Sequence, residues 1–439
     1  MTNIAVVVLD TLRKDAFDRQ FDWLPGRRFE RAYSTANWTV PAHASLFTGR
    51  YASEVGVHAK NMRCDCSTPV LAEQLQSAGY TTSAFSANTN ITGHFDFDRG
   101  FSMFHSPKQY DFLNDTEIFD WREYSRETSA TGIEKYLRGV YECATSDAAT
   151  ISSLIAGIRA VRATGTGVEY GGLLEAHDAI REMEFGDREF LFVNVMETHE
   201  PYRVPSEYRT VGEPPLTRSV GDLNVEPVDA EQTKQAYEDC ATYLSDMYAE
   251  LFELLQRDFE YIVTLSDHGE LLGEHGAWSH EHGVYPELTH VPLCISGPGM
   301  EGTSTETVSL INVYETVLDM AGIAEESHGR GQSLLGEVNG GERLAEYLGL
   351  TSWSERRIQE HWDEQLVAQY ERELRGYAAS KEYYGYETVD GFVETGDGEI
   401  TGPRDRLRQL EESLDVREVR TENEVPDEIK DQLEHLGYA

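Results

Sequence analysis

The chain has 439 residues, with 78 Asp and Glu against 37 Lys and Arg, for a formal net charge of −41. Forty per cent of its residues are hydrophobic and 10% aromatic, enough for a core, so the composition excludes a disordered acidic tail. So anionic a surface repels nucleic-acid phosphates and acidic lipids, and no basic patch offsets it; nucleic acid and membrane are excluded as partners. Of the 37 basic residues only Lys14, Lys60, Lys108, Lys135, Lys234, Lys381 and Lys430 are lysine. Excess acid with scarce lysine matches a halophilic setting, where molar salt shortens the Debye length to about 3 Å and screens self-repulsion.

Met1-Thr2-Asn3 runs directly into the apolar Ile4–Leu9, with no basic leader, no long apolar run and no cleavage site; a cytoplasmic protein is expected. Ile4–Leu9 reads as a core strand. The next clear elements are a helix over Thr68–Ala78, with Pro69 at its first position, and a strand over Thr82–Ser86. The segment 109–184 carries helical patterns without a strong strand and reads as an insertion. Strands follow at Phe190–Val195, Tyr261–Leu265 and Val291–Ile295, with a long helix over Ala230–Leu255. Strands alternating with helices give an α/β fold around a mostly parallel sheet.

The first 335 residues form the main domain in this reading. After Leu335 the pattern changes: Glu337–Glu373 is charged and helix-prone, Lys381–Glu399 reads as hairpins, and Arg404–Leu414 returns to helix. Residues 336–439 are therefore expected to form a small C-terminal α+β subdomain.

Three stretches could carry chemistry. Asp10 ends the first strand, and Ser266-Asp267-His268-Gly269-Glu270 ends the strand Tyr261–Leu265; ligands of open parallel sheets bind beyond such carboxyl ends. Two carboxylates and an imidazole suit a divalent ion such as Mn, Zn, Mg or Ca. In Trp38-Thr39-Val40-Pro41-Ala42-His43 the proline starts a helix, with Thr39 just before its N-terminus, either as a cap or as a hydroxyl facing a bound anion. The five cysteines are too scattered for a disulfide framework, and Cys64-Asp65-Cys66 is at most a thiol clip.

The ordered series Leu9-Asp10, Pro41 to Tyr51 with Ala44-Ser45-Leu46-Phe47-Thr48-Gly49-Arg50, His199-Glu200-Pro201-Tyr202, Ser266 to Glu270 and His290-Val291-Pro292-Leu293 resembles the sulfatase family of the alkaline-phosphatase superfamily. Leu75 to Tyr80 and Val313–Ile323 add to the likeness, which spans roughly residues 3–335. It implies an alkaline-phosphatase-like sheet flanked by helices. It also implies Asp10, Asp267 and His268 as ligands of one divalent metal, Thr39 at the nucleophile position, and His199 and His280 at the leaving group. His43 and Arg50 are then candidates to orient or neutralise the anion, and the partner is a small anionic ester; oligomeric state has no signature in the sequence.

Two departures shape the expectation. The formylglycine signature C/S-x-P-x-R is replaced by Thr39-Val40-Pro41-Ala42-His43, so no formylglycine is expected and Thr39 itself must be the nucleophile. Thr11 replaces a second aspartate, which favours one metal; His275, His280 and His282 are the candidates for a second. The expected activity is a sulfatase-like hydrolase of sulfuric or related phosphoric esters. A phosphodiesterase, phosphomonoesterase or phospho-group transferase of the same superfamily is the alternative, and a non-catalytic binding descendant is a third reading.

Overall fold

The computed structural model describes residues 2–107, 143, 171–214, 229–323, 328–361, 364–380 and 382–419. In chain order its first strands are β1 (Ile4–Leu9), β2 (Arg27–Tyr33), β3 (Thr81–Ser86), β4 (Met103–His105), β5 (Glu189–Val195) and β6 (Tyr261–Leu265). There follow the short pair β7 (Leu271–Leu272) and β8 (Trp278–Ser279), then β9 (Leu293–Ser296) and β10 (Gly302–Ser309). Eight of these form one sheet in the order β10-β2-β9-β6-β1-β5-β3-β4.

The most apolar runs take the centre. β1 and β5 are buried at every position and pair in parallel from Ile4 with Phe190 to Leu9 with Val195. β6 flanks β1 in parallel on its other side, and β3 flanks β5 likewise. Strands without a polar face must be covered on both sides, and helices do this. The helix Ala230–Leu255 lays Tyr237, Cys240, Leu244, Tyr248 and Leu251 on one side, while Ile311–Met320 and Thr39–Thr48 pack together on the core. The parallel run β6-β1-β5-β3 brings four carboxyl ends to one edge.

The sequence reading requires correction at several elements. β9 begins at Leu293 rather than Val291, because Pro292 has no N–H to give to a ladder, and it runs antiparallel between β6 and β2. The helix expected from Thr68 begins at Leu71: the Glu73 carboxylate accepts from the Val70 N–H at 2.9 Å and fixes the start there, leaving Pro69 outside. Thr39 is the first helical residue, preceded by an extended Trp38. Pro41, in the first turn, removes an N–H that had no helical partner. Of the expected insertion 109–184, only Cys143 and residues 171–184 lie within the described residues; there Leu173–Glu182 is helical.

The tail contains a second, antiparallel sheet of β11 (Arg343–Tyr347), β12 (Leu374–Ala378), β13 (Tyr384–Thr388) and β14 (Gly391–Thr395). β11 interrupts the stretch read as helical; Ser352–His361 and Glu364–Glu371 are helices as expected. This sheet docks on the main body by hydrogen bonds as well as apolar contact. The Glu346 N–H donates to Thr35 O at 2.8 Å, the Tyr384 hydroxyl donates to Val284 O at 2.8 Å, and the Tyr384 and Tyr33 rings stack at 5.5 Å. It thereby braces two connections, the one from β2 to Thr39 and the one following His280. No described helix is long and apolar enough to cross a membrane.

A chain of charge −41 folds against its own repulsion. Raising KCl from about 0.1 to about 1 M, which shortens the Debye length from about 10 to about 3 Å, is expected to raise Tm by several degrees. Thermal melts check this, and an unchanged or lower Tm would contradict it.

Candidate active site

Asp10, Asp267 and His268 are fully buried at the common edge of β1 and β6. One ligand atom from each lies within 4.8 Å of the other two. His268 Nε2 is 3.7 Å from Asp10 Oδ1 and 3.5 Å from Asp267 Oδ2. Asp10 Oδ1 and Asp267 Oδ2 are buried and accept no geometrically acceptable hydrogen bond. Ligands on one ion at roughly 2.0–2.4 Å stand no further apart than about twice that, so these three donors fit a single divalent cation. The Gly269 carbonyl, 2.9 Å away, takes the Nδ1 proton of His268, leaving the Nε2 lone pair aimed into the cluster. Behind it the chain is tightly packed: a Cβ on Gly269 would lie 2.0 Å from Glu287 O.

The backbone itself contributes. Thr11 adopts φ 59, a left-handed conformation uncommon for a β-branched residue. This turns its N–H toward Asp267 Oδ1 at 3.4 Å, while its hydroxyl donates to Asp10 O at 2.6 Å. The Tyr237 hydroxyl donates to Thr11 O at 2.9 Å and holds the turn.

Thr39 stands next to the cluster. Its Oγ1 is 3.2 Å from His268 Nε2 and 3.4 Å from Asn88 Nδ2, with no exposed surface. Asn88 Nδ2 also donates to Asp10 Oδ2 at 2.9 Å. His280 follows β8; its ring lies 4.5 Å from that of His268 and 5.0 Å from that of His199, centroid to centroid. Glu270 Oε1 is 3.1 Å from His280 Nδ1 and fixes that ring. His199 Nδ1 donates to Glu200 O at 2.6 Å. Seven of the eight candidate residues, Asp10, Thr39, His43, His199, Asp267, His268 and His280, thus converge.

His43 lies on the helix that Thr39 opens, and Arg50 just past its end. His43 lies one helical turn beyond Thr39, fully buried, with Nδ1 on Thr39 O at 2.9 Å and Nε2 on Asn194 at 3.2 Å. Both nitrogens are engaged within the protein and burial lowers its pKa to about 3, so it braces the Thr39 turn as a neutral ring instead of neutralising an anion. Arg50 follows Gly49, the C-cap of the same ten-residue helix, whose rise is roughly 15 Å. The candidates for a second metal also separate. His275 stacks on Tyr285 and contacts Glu287 at 3.0 Å, while His282 packs between Tyr347 and Tyr370. Among the described residues, Asp10, Asp267 and His268 form the one cluster of three or more such ligands. The sequence reading missed Asn88 and Asn194, whose signals were a polar residue just past β3 and a polar break in the apolar run of β5.

Burial dominates the electrostatics. It pushes Asp10 up to about 7, aided by the nearby Asp267 charge, and Asp267 to about 7; it holds His268 near 4 and drives His199 well below its ordinary value. Between about pH 4 and 7 the metal-free fold retains carboxyl protons that the unfolded chain releases, so this contribution to stability is lost as pH rises through that window. The buried histidines act oppositely, losing stability as pH falls below about 6.5. A cation competes with the carboxyl protons, so the Tm increment from manganese should be larger at about pH 8 than at about pH 5.5, and small at both in Asp10→Asn. Melts with manganese and with chelator check this; an increment independent of pH would argue against the carboxylate pair as the site.

A family model described as Sulfatase matches residues 19–323. The uncharacterized sulfatase YidJ of Escherichia coli is 25% identical over 338 residues, 71% of this chain and 63% of that protein. The extracellular sulfatase SULF-1 homolog of Drosophila melanogaster is 26% identical over 336 residues, 71% of this chain and 28% of its own length. The matched region therefore spans less than two thirds of these relatives. A phosphonate monoester hydrolase from Silicibacter pomeroyi shares the fold with a TM-score of 0.62 at 18% identity, covering 94% of each chain. A putative sulfatase from Bacteroides thetaiotaomicron does so with a TM-score of 0.58 at 14% identity, covering 99% of this chain and 92% of its own. With an alkaline-phosphatase-like sheet and a family match over most of its length, the chain belongs to the sulfatase family.

Proposed function

We propose that this protein is a metal-dependent hydrolase of small anionic esters, sulfuric or related phosphoric ones, with Thr39 as its nucleophile. The observation that carries this reading is the placement of Thr39 Oγ1, 3.2 Å from His268 Nε2 and beside the Asp10 and Asp267 carboxylates. Asp10, Asp267 and His268 would hold one divalent cation, which when bound supplies positive charge favouring an ionised hydroxyl and an ester oxygen.

The protein's own groups take the remaining roles. The Asn88 amide donates to Thr39 Oγ1 and to Asp10, so it steadies negative charge on the attacking oxygen. Thr39 opens a ten-residue helix whose first N–H groups lack helical partners and attract an anion. Thr39 Oγ1 gives its proton to solvent and attacks sulfur or phosphorus in line as the bond to the ester oxygen breaks; the departing oxygen becomes an alcohol by a proton passed through His280 from the Glu270 carboxyl, 3.1 Å from its Nδ1 and raised by burial to about 8, or through His199 from solvent. Such a transfer contributes typically about 10²–10⁴-fold. Water then attacks the same sulfur or phosphorus and releases Thr39 with the inorganic anion.

Thr39 itself supports a second reading. A sulfated or phosphorylated threonine must be resolved by an outside hydroxyl, and an acceptor alcohol serves as well as water. A phospho-group transferase is therefore the alternative, detected as turnover that depends on added alcohol. The surface charge supports work in high salt.

With manganese and about 1 M KCl, nitrophenyl sulfate, nitrophenyl phosphate, bis-nitrophenyl phosphate and nitrophenyl phenylphosphonate form the test panel. Thr39→Ala is expected to lose on the order of 10³-fold or more in kcat on whichever ester is turned over, while Thr39→Ser retains part of it. A folded Thr39→Ala variant of wild-type activity would remove the nucleophile assignment.

A further inference from the structure

The polar groups around Thr39 close into a ring. Starting at the hydroxyl, Asn88 Nδ2 donates to Thr39 Oγ1 at 3.4 Å and to Asp10 Oδ2 at 2.9 Å. Asn194 Nδ2 donates to the same Asp10 oxygen at 3.3 Å and lies 3.2 Å from His43 Nε2. His43 Nδ1 returns to Thr39 at its carbonyl oxygen, 2.9 Å away, with Asp267 Oδ2 at 3.5 Å. All six residues, Asp267 included, are at most 1% exposed.

The chemistry of the donors leaves one arrangement. The Asn90 N–H donates to Asn88 Oδ1 at 2.8 Å, which fixes the Asn88 carboxamide with its NH2 toward Asp10 and Thr39. An amide NH2 has two protons, and Asn88 spends them on those two oxygens. The Thr39 carbonyl only accepts, so His43 carries its proton on Nδ1 and takes the Asn194 proton on Nε2. Asp10 Oδ2 thus receives both amides, and its other oxygen, Oδ1, is left facing His268 and Asp267. Phe47 and Phe192 meet the His43 ring edge-on at 6.2 and 5.8 Å and restrict its tilt.

We infer that His43 and Asn194 are positioning residues that orient the proposed nucleophile and the carboxylate Asp10 as one unit. Both ring nitrogens of His43 meet protein groups. It acts through the Thr39 carbonyl on one side and through Asn194 on Asp10 on the other. The inference rests on the reading of Thr39 as nucleophile and of Asp10 as a metal ligand, and it adds that the two are aligned by a shared hydrogen-bond circuit.

The test uses the full chain with manganese as probe and two readouts: manganese affinity by calorimetry, and kcat and KM on whichever panel ester the wild type cleaves. Asn194→Leu is expected to weaken manganese binding by about 10-fold, in line with the loss of a group that orients a ligand. His43→Leu is expected to lower kcat by on the order of 10-fold or more with KM little changed. His43→Gln, which offers an amide donor to Thr39 and an oxygen to Asn194, should recover most of the loss, a rescue that mere packing would not give. If His43→Leu does not fold, Asn194→Leu and His43→Gln carry the test.

Wild-type manganese affinity in Asn194→Leu, or equal defects in His43→Gln and His43→Leu, would overturn the inference. A wild type that binds manganese but cleaves no ester defeats the hydrolase reading alone, since the affinity measurements still judge the circuit. A wild type that binds no manganese overturns both.

Discussion

Two carboxylates without exposed surface, Asp10 and Asp267, converge on one point, and the rest of the site depends on that constraint. Removing an ionised carboxylate from water costs several kcal/mol even after relaxation, and two facing carboxylates repel each other as well. The protein's partial answer is a set of neutral donors: Asn88 and Asn194 to Asp10, and the backbone N–H groups of Thr11 and His268 to Asp267. These donors bind Asp10 Oδ2 and Asp267 Oδ1, leaving the opposite oxygens directed at His268. The donors therefore set direction as well as stability, and what they direct is a small opening suited to a cation.

The sheet makes this convergence possible. A parallel arrangement stacks strand ends at one edge, so residues 10, 88, 199 and 267, distant in sequence, reach one place through β1, β3, β5 and β6. β2 brings the chain to the same edge before Thr39, and the docked antiparallel sheet ties down that connection at Thr35 and the segment after His280 at Val284. The tail thus supports the positions of Thr39 and His280, although its residues lie far from them in sequence.

What was legible in the sequence followed from apolar continuity. Ile4–Leu9 and Tyr261–Leu265 have no competing helical pattern, so their ends and the acids on them were placed correctly. β2 and β10 escaped because Arg27-Arg28-Phe29-Glu30-Arg31 and Gly302-Thr303-Ser304-Thr305 are polar, as suits strands toward a partly exposed flank of the sheet. The reversed direction of β9 has no counterpart in periodicity, which is the same for either sense. Arg50 follows the end of the helix that Thr39 opens, and a helix separates its two ends by its rise. His43, four residues from Thr39, shares its helix face, so its proximity was legible, but its neutrality depends on burial that only the packed structure reveals.

The exchange of charged for neutral groups connects the interior with the surface. In the family's formylglycine signature the fifth position is arginine, and here it is His43, a neutral ring with both nitrogens used. A guanidinium at that depth needs a carboxylate or carbonyl partner for each of its donors. An imidazole requires only one acceptor and one donor, and Thr39 O and Asn194 supply them. The chain's acids divide accordingly: among the described residues most keep exposed surface, where water and salt screen them. Asp10 and Asp267 instead sit among neutral amides, imidazoles and backbone N–H groups, so the charge that balances them is left to what binds at the opening they share.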